Sequence, residues 1–347
     1  MPFDMIRELH NIDIAPYTSF GTSARVEELI EWDNCEELLA LLAQRRKASP
    51  HPTLYTILGE GCNTLFTDNF SGTIIRSVAK GIEIVGRNEE EVLVRVAAGE
   101  IWDDVVRWSC EQGLWGAENL SAIPSSVGAT AVQNIGAYGV EAKDIIADVE
   151  YIDLRDLHIE HIAASECAFG YRDSIFKGNL SGQALITSVT YRLSTTPKPH
   201  LDYGTLRPEV ERSGNLTPMG IREAVMAIRA RKLPDPKVIG NAGSFFKNPI
   251  LPRNQVEALR RLYPTMPTYE VAGQPEKLKI ATGWMIDTLG WKGKRVGNVG
   301  VHSEQALVLV NHGGAEGKEV VALAERICRE VKEKFGVDIE PEVNIVQ

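Results

Sequence analysis

Alternating hydrophobic and polar positions mark strands over much of the chain, and helical spacing takes over in its last third. Val26–Trp32 reads as a strand, followed by a helix over Cys35–Lys47 capped by Asp33 or Asn34. A short β run, Leu54–Leu58, enters the turn Gly59-Glu60-Gly61-Cys62-Asn63-Thr64. Strands are predicted at Thr73–Arg76, Ile82–Val85 and Val92–Ala97, with Asn88 and Glu89–Glu91 forming a turn. A helix over Trp102–Gln112 precedes a long Gly- and Ser-rich stretch, Ser121–Gly139. Strands return at Val149–Leu154 and Ala184–Leu193, and Thr196–His200 reads as a proline-spaced linker. Helices are then predicted at Arg222–Lys232, Asn254–Leu262, Leu278–Leu289 and Lys318–Phe335, with a short apolar strand at Ala306–Val310. Three blocks follow from this texture: 1–69, a mostly β block 70–214, and an α/β block 215–334. The tail, 335–347, is too short to fold alone. Its extended part, Val337–Val346, must pair with another sheet, for which the first block is the natural host.

Composition narrows the function. The 347 residues carry a net charge of −10. A nucleic-acid binder would need a basic face, which this balance disfavours, although a few local Arg and Lys residues suffice for a small anion. Five widely spaced cysteines without a Cys-x-x-Cys pair predict free thiols in a reducing compartment, with no metal site. The start, Met1–Arg7, lacks a basic, apolar leader, and no run of about 18 apolar residues occurs, so neither secretion nor a membrane span is expected. The expected location is the cytoplasm.

Three glycine-containing segments carry the candidate chemistry. Gly240-Asn241-Ala242-Gly243-Ser244-Phe245-Phe246-Lys247-Asn248-Pro249 can hold one serine against a ligand, because glycine permits positive φ and close backbone approach. A plain turn entering a strand is the other reading. In Leu58–Asn63, successive N–H groups can form a nest for a pyrophosphate. It is neither Gly-x-Gly-x-x-Gly nor a Walker loop, because Asn63 and Thr64 occupy the decisive positions. Ile123–Gly139 is small-residue-rich and almost uncharged, and structureless loops of this length are uncommon unless functional.

Gly59-Glu60-Gly61-x-Asn63, Gln133–Gly139, Phe169-Gly170-Tyr171-Arg172-Asp173-Ser174, Gly240–Pro249 and Glu340-Pro341-Glu342 occur in this order, and together they resemble the UDP-N-acetylenolpyruvoylglucosamine reductase family. Leu201–Leu206, with Tyr203, is similar to the mobile tyrosine loop of one subgroup. The resemblance implies an α+β chain. Two FAD-binding subdomains of the vanillyl-alcohol-oxidase-like type, 1–69 (joined by 335–347) and 70–214, would precede a C-terminal α/β substrate domain, 215–334. It implies non-covalent FAD, NADPH as reductant and UDP-N-acetylglucosamine enolpyruvate as substrate, in a monomer without nucleic-acid or membrane partners. FAD would be held by Gly59, Glu60, Gly61, Cys62, Asn63, Thr64, Pro124, Ser126, Val127, Gly128, Ala129, Ile135, Gly136 and Ala137. Substrate would be held by Tyr171, Tyr203, Arg229, Lys232, Asn248 and Gln305. The chain departs from the family pattern at Thr18-Ser19, Cys62, Ser125 and Asn344.

The implied reaction adds hydride to an enolpyruvyl carbon and leaves a dianionic enolate, which requires donors and cations aimed at it beforehand. Arg172 suits a carboxylate because its guanidinium is planar and always charged; pairing with Asp173 is the ordinary alternative. Ser244 is the expected proton donor, an acid strong enough only toward so basic an anion. Glu342 is the third member, expected to be protonated in the complex or to share a hydrogen bond. Pro341 should direct Glu340 and Glu342 to opposite faces. From the residues alone, two solvated tail carboxylates would be preferred. An oxidase of the same fold and a catalytically silent nucleotide-sugar-binding regulator are the competing readings.

Overall fold

The computed structural model describes residues 6–48, 54–271 and 273–347, so the Met1–Met5 part of the leader reading lies outside the described residues. The chain condenses into two compact units, one of Met1–Ile12, Val26–Glu60 and Ser71–Arg231, the other of Asp13–Arg25, Gly61–Phe70 and Lys232–Gln347. The fold is α+β, as expected.

The first unit is built on two sheets. One runs in the order Ile6–Asp13, Arg25–Trp32, Phe70–Ser77, Tyr55–Leu58, with the last two strands parallel. The other is antiparallel, in the order His158–Ala163, Ile146–Asp153, Ala184–Ser194, Glu91–Ala97, Ile82–Arg87. Alternation decides which face is buried: Val92, Val94 and Val96 are fully buried, whereas Arg95 between them is exposed. Ala184–Ser194 lies at the centre and is buried on both faces. Its Ile186 and Val189 join one core with Trp102 and Val106, and its Leu185 joins another with Trp32 and Leu38. A buried aliphatic side chain contributes about 1.5–3 kcal/mol relative to exposure, and this strand supplies such side chains to two cores.

Local signals set the element ends. Asn34 caps the helix Cys35–Ala48: its side-chain oxygen accepts from the amides of Glu36 (2.9 Å) and Glu37 (3.2 Å). Asn88 does the same at the turn before Glu91–Ala97, accepting from Glu90 (2.8 Å) and Glu91 (2.9 Å). The helix expected from Arg222 begins at Pro218, in the first turn where proline's missing N–H costs nothing.

Arg222 ties that helix, Pro218–Lys232, to Trp102–Glu111 through a bidentate pair with Asp103, at 2.5 and 2.8 Å. Burial pushes the Asp103 carboxyl up, but hydrogen bonds from Arg222 and the Ala122 amide outweigh it and hold the group below its ordinary value. A depressed carboxylate contributes stability that is fully present above the unfolded pKa of about 3.9 and is lost as pH falls through the folded value. Replacing Arg222 by Met strands the carboxylate. The expected cost above pH ~5 is about 3 kcal/mol, the low end for a broken buried pair, because the Asp103 side chain is 30% exposed. Urea melts at several pH values check this: the gap from the parent protein should narrow as Asp103 protonates in acid.

The second unit centres on an antiparallel sheet, Gly240–Ser244, Val308–Asn311, Val299–Val301, Arg295–Val296, backed by the helix Gly317–Phe335. The tail strand Asn344–Val346 pairs in parallel with Thr64–Phe66, which lies in the block expected to receive it.

Several elements differ from expectation. Leu278–Leu289 is not one helix. Lys277–Ile280 is a strand, with Leu278 and Ile280 buried at a period of two, and the helix is Thr282–Thr288, whose first amide is taken by the Asn248 side chain. Within Ser121–Gly139, Val127–Val132 forms a short helix and Gly136–Ala137 pairs with Val140–Glu141. The apolar strand begins at Val308, two residues later than expected, because the Val308 amide turns back to the Gln305 carbonyl at 3.0 Å. Ile6–Asp13 and His158–Ala163 gave no sequence signal, because both are edge strands with mostly exposed side chains.

Candidate active site

The glycine turn after Tyr55–Leu58 packs tightly on the small-residue stretch. A Cβ at Gly59 would lie 2.4 Å from Ser126 Oγ and 3.5 Å from Ala129 Cβ, so a larger residue would have to displace the Ser126 hydroxyl. The amides of Gly59 and Gly61 donate to no acceptor among the described residues. Glu60 and the Gly59 carbonyl are held by Arg76, which donates at 3.0 and 3.3 Å and also binds Glu31 at 2.7 Å. Not every amide of the second stretch is available: Val127 donates to Glu100 and Gly128 to Ala98. Val127 and Ile135 are core residues, Ser126 and Gly128 are buried, Pro124 is exposed, and Ala129, Gly136 and Ala137 are half-buried. In the second unit, Cys62, Asn63 and Thr64 are half-buried, and Asn63 binds the tail in two ways: Nδ2 donates to the Glu342 carbonyl (3.1 Å) and its own carbonyl accepts from Asn344 (2.9 Å). Of the departures, Ser125 is buried and its hydroxyl donates to the Ser126 carbonyl.

Arg172 sits in the first unit at φ +55°, a left-handed conformation a non-glycine residue adopts only when its surroundings hold it there. Its guanidinium donates to the carbonyls of Gly136 (2.7 Å) and Asn134 (3.4 Å), and it lies 5.3 Å from the ring centroid of Tyr171. Asn134, itself at φ +44°, donates back to the Gly170 carbonyl at 2.8 Å. The Phe169–Ser174 and Gln133–Gly139 motifs, distant in sequence, are thereby locked together.

Ser244 and Glu342 belong to the second unit, where the segments that carry them are joined by backbone hydrogen bonds. Gly243, at φ +68°, produces the irregularity that ends the Gly240–Ser244 strand opposite Val308. The Phe245 carbonyl then accepts the Glu342 amide at 2.7 Å, and Phe246 bridges to Pro341. Ser244 is half-buried, and its hydroxyl has no hydrogen-bond partner among the described residues, histidine included. A hydroxyl without a base is not an activated nucleophile. Phe245 and Phe246 are buried and pack edge to face with centroids 5.2 Å apart. Glu340 is exposed and Glu342 half-buried, so the proline-spaced carboxylates do differ in environment.

The expected substrate residues divide. Arg229 is half-buried on the Pro218–Lys232 helix, with no hydrogen bond or ion pair among the described residues. Burial pulls its pKa down from the ordinary value. A desolvated guanidinium with no partner is well placed to receive an anion. Lys232, three residues on, is exposed. Tyr203 is 49% exposed and rests edge-on against Tyr138, with centroids 6.1 Å apart. Tyr138 was not singled out in sequence; only its packing against a residue far along the chain reveals it. Asn248 and Gln305 are partly spent on local structure: Asn248 Oδ1 accepts from Thr282 and Gln305 Oε1 from Leu307. The Asn248 side-chain amide donates to nothing among the described residues.

No disulfide forms. All five cysteines are free, and burial pushes the thiols of Cys35 and Cys328 up to about 11 and those of Cys110 and Cys167 to about 12. Among the described residues no helix is long and apolar enough to cross a membrane.

A family model described as FAD binding domain matches residues 30–161, and one described as UDP-N-acetylenolpyruvoylglucosamine reductase, C-terminal domain, matches residues 235–346. The UDP-N-acetylenolpyruvoylglucosamine reductase of Bacteroides fragilis is 46% identical over 331 residues, covering 95% of this chain and 97% of the relative. That of Pseudomonas aeruginosa is 45% identical over 335 residues, 96% of this chain and 97% of its own. The crystal structure of the Thermus caldophilus reductase superposes with a TM-score of 0.67 at 23% identity, covering 99% of both chains, and supports the fold. With identity at this level over nearly its whole length, the chain belongs to the UDP-N-acetylenolpyruvoylglucosamine reductase family.

Proposed function

We propose that this chain reduces UDP-N-acetylglucosamine enolpyruvate to UDP-N-acetylmuramate with NADPH, a cytoplasmic step in peptidoglycan precursor synthesis, and that Arg172, Ser244 and Glu342 carry it. Family membership supports the reaction class. FAD, when bound, supplies hydride to the enolpyruvyl terminal carbon. The residues present fit such a group: the Gly59 and Gly61 amides are unspent among the described residues, and the stretch that Gly59 packs against is uncharged. Residues 1–69 with the tail, and 70–214, would hold it, and 215–334 would serve the nucleotide sugar.

The protein's own side chains manage the charge that follows. Arg172 offers a fixed guanidinium to the substrate carboxylate, where negative charge accumulates. Glu342 shares a hydrogen bond with the enolate. Ser244 gives its hydroxyl proton to the carbon. The observation that carries this assignment is the half-buried Ser244 hydroxyl, unpartnered among the described residues and followed by Phe245, whose carbonyl accepts the Glu342 amide. Arg229 and Lys232 receive the diphosphate, with Tyr171, Asn248 and Gln305 around phosphate and sugar and Tyr203 closing over the nucleotide.

The purified protein should be yellow. Anaerobic NADPH should bleach it without sugar substrate, and the enolpyruvyl substrate should restore the colour. A protein that stays colourless after incubation with FAD, or a bleached one that only oxygen restores, rejects the reading.

A further inference from the structure

We propose that Asn119 is a positioning residue that sets the Tyr203 lid on its floor. This rests on the reading that Tyr203 closes over the nucleotide sugar. Asn119 lies in the short helical turn Glu118–Leu120 and is fully buried. Its single side-chain amide donates twice, to the Tyr138 carbonyl at 2.9 Å and to the His200 carbonyl at 2.8 Å. Those carbonyls belong to two separate segments. Tyr138 is the ring on which Tyr203 rests, and His200 is the residue from which the lid loop departs. One carboxamide therefore fixes both the surface the lid meets and the stem from which it moves.

Two further features fit this role. Tyr138 is held at φ +48°, a conformation that an aromatic residue leaves unless something retains it, and the Asn119 bond falls on its own carbonyl. The lid is pinned on both sides, since Leu201 and Leu206 are buried in one cluster with Trp115 while Asp202–Thr205 between them are exposed. With both ends anchored, the tip carrying Tyr203 moves by rotation about its pins. Where it lands depends on the Tyr138 ring. Asn119 hydrogen-bonds no expected cofactor or substrate residue among the described residues, but its turn packs beside Gly136–Ala137, so the rate of flavin reduction has to separate an effect through the lid from one through the cofactor.

A double-mutant cycle tests this. Asn119→Ala should raise KM for UDP-N-acetylglucosamine enolpyruvate about tenfold, with little change in kcat and none in the rate at which NADPH bleaches the flavin. Tyr203→Ala alone should also raise KM. In the Tyr203→Ala background, adding Asn119→Ala should raise it less than twofold further. Should Asn119→Ala fail to fold, Asn119→Ser, which keeps one donor, takes its place in the cycle. Asn119→Leu, of similar size without the two donors, should behave as Asn119→Ala. Multiplying single effects, or an equal loss in flavin reduction, overturns the clamp. An unchanged KM in Tyr203→Ala alone sinks the lid reading instead.

Discussion

Ser244→Ala is expected to cut turnover by about 10²–10⁴-fold, the range for losing a positioned proton donor. The loss should fall on one half-reaction. Reduction by NADPH needs no proton on the sugar carbon, so stopped-flow bleaching should proceed at close to the parent rate. Reoxidation by the enolpyruvyl substrate should carry the deficit. The change is small structurally: Ser244 Oγ makes no hydrogen bond among the described residues, and the strand partner Val308 is met through backbone. Cys at this position restores a weak donor of similar shape and should recover part of the rate. Equal losses in both half-reactions would contradict the role.

Arg172→Lys should lower kcat with the enolpyruvyl substrate by about 10²–10³-fold, a loss of the size seen when one donor to a developing oxyanion is removed. Lysine keeps the charge, so a purely electrostatic role would tolerate it. The structure argues otherwise. The guanidinium spends donors on the carbonyls of Gly136 and Asn134, which fixes its plane. On the proposed role, the fixed plane sets the direction in which the charge meets the substrate, whereas an ammonium would choose either the carbonyls or the ligand. Steady-state kcat with saturating substrate decides it; a loss confined to KM would make Arg172 a binding residue only.

Much of the fold could be read from local pattern. Asn34 and Asn88 are short-range devices that satisfy amides two or three residues away, so a sequence window contains both partners. Val92–Val96 announces its buried face by alternation. Leu278 and Ile280 misled because four residues cannot separate a period of two from the start of a helix, and the strands that decide it, Ile250–Pro252 and Thr268–Glu270, lie outside the local window. Site legibility follows the same division. Arg229 and Lys232 share a helix face and were visible as a pair, but which of them is desolvated depends on packing against other elements. Asn119 carried no sign, and Tyr138 stood only as one member of the Gln133–Gly139 motif, because both owe their roles to contacts with the His200–Tyr203 segment.

The left-handed backbone at Asn134, Tyr138 and Arg172 has a practical consequence. Glycine would relax each of them, since only a Cβ makes that conformation unfavourable. At Asn134 and Arg172 glycine would also remove the hydrogen bonds that lock the two motifs together, which leaves Tyr138 as the codon where heat resistance alone could gain. Such a variant would be missing the ring, and any thermostabilisation campaign on this protein therefore has to score turnover alongside melting.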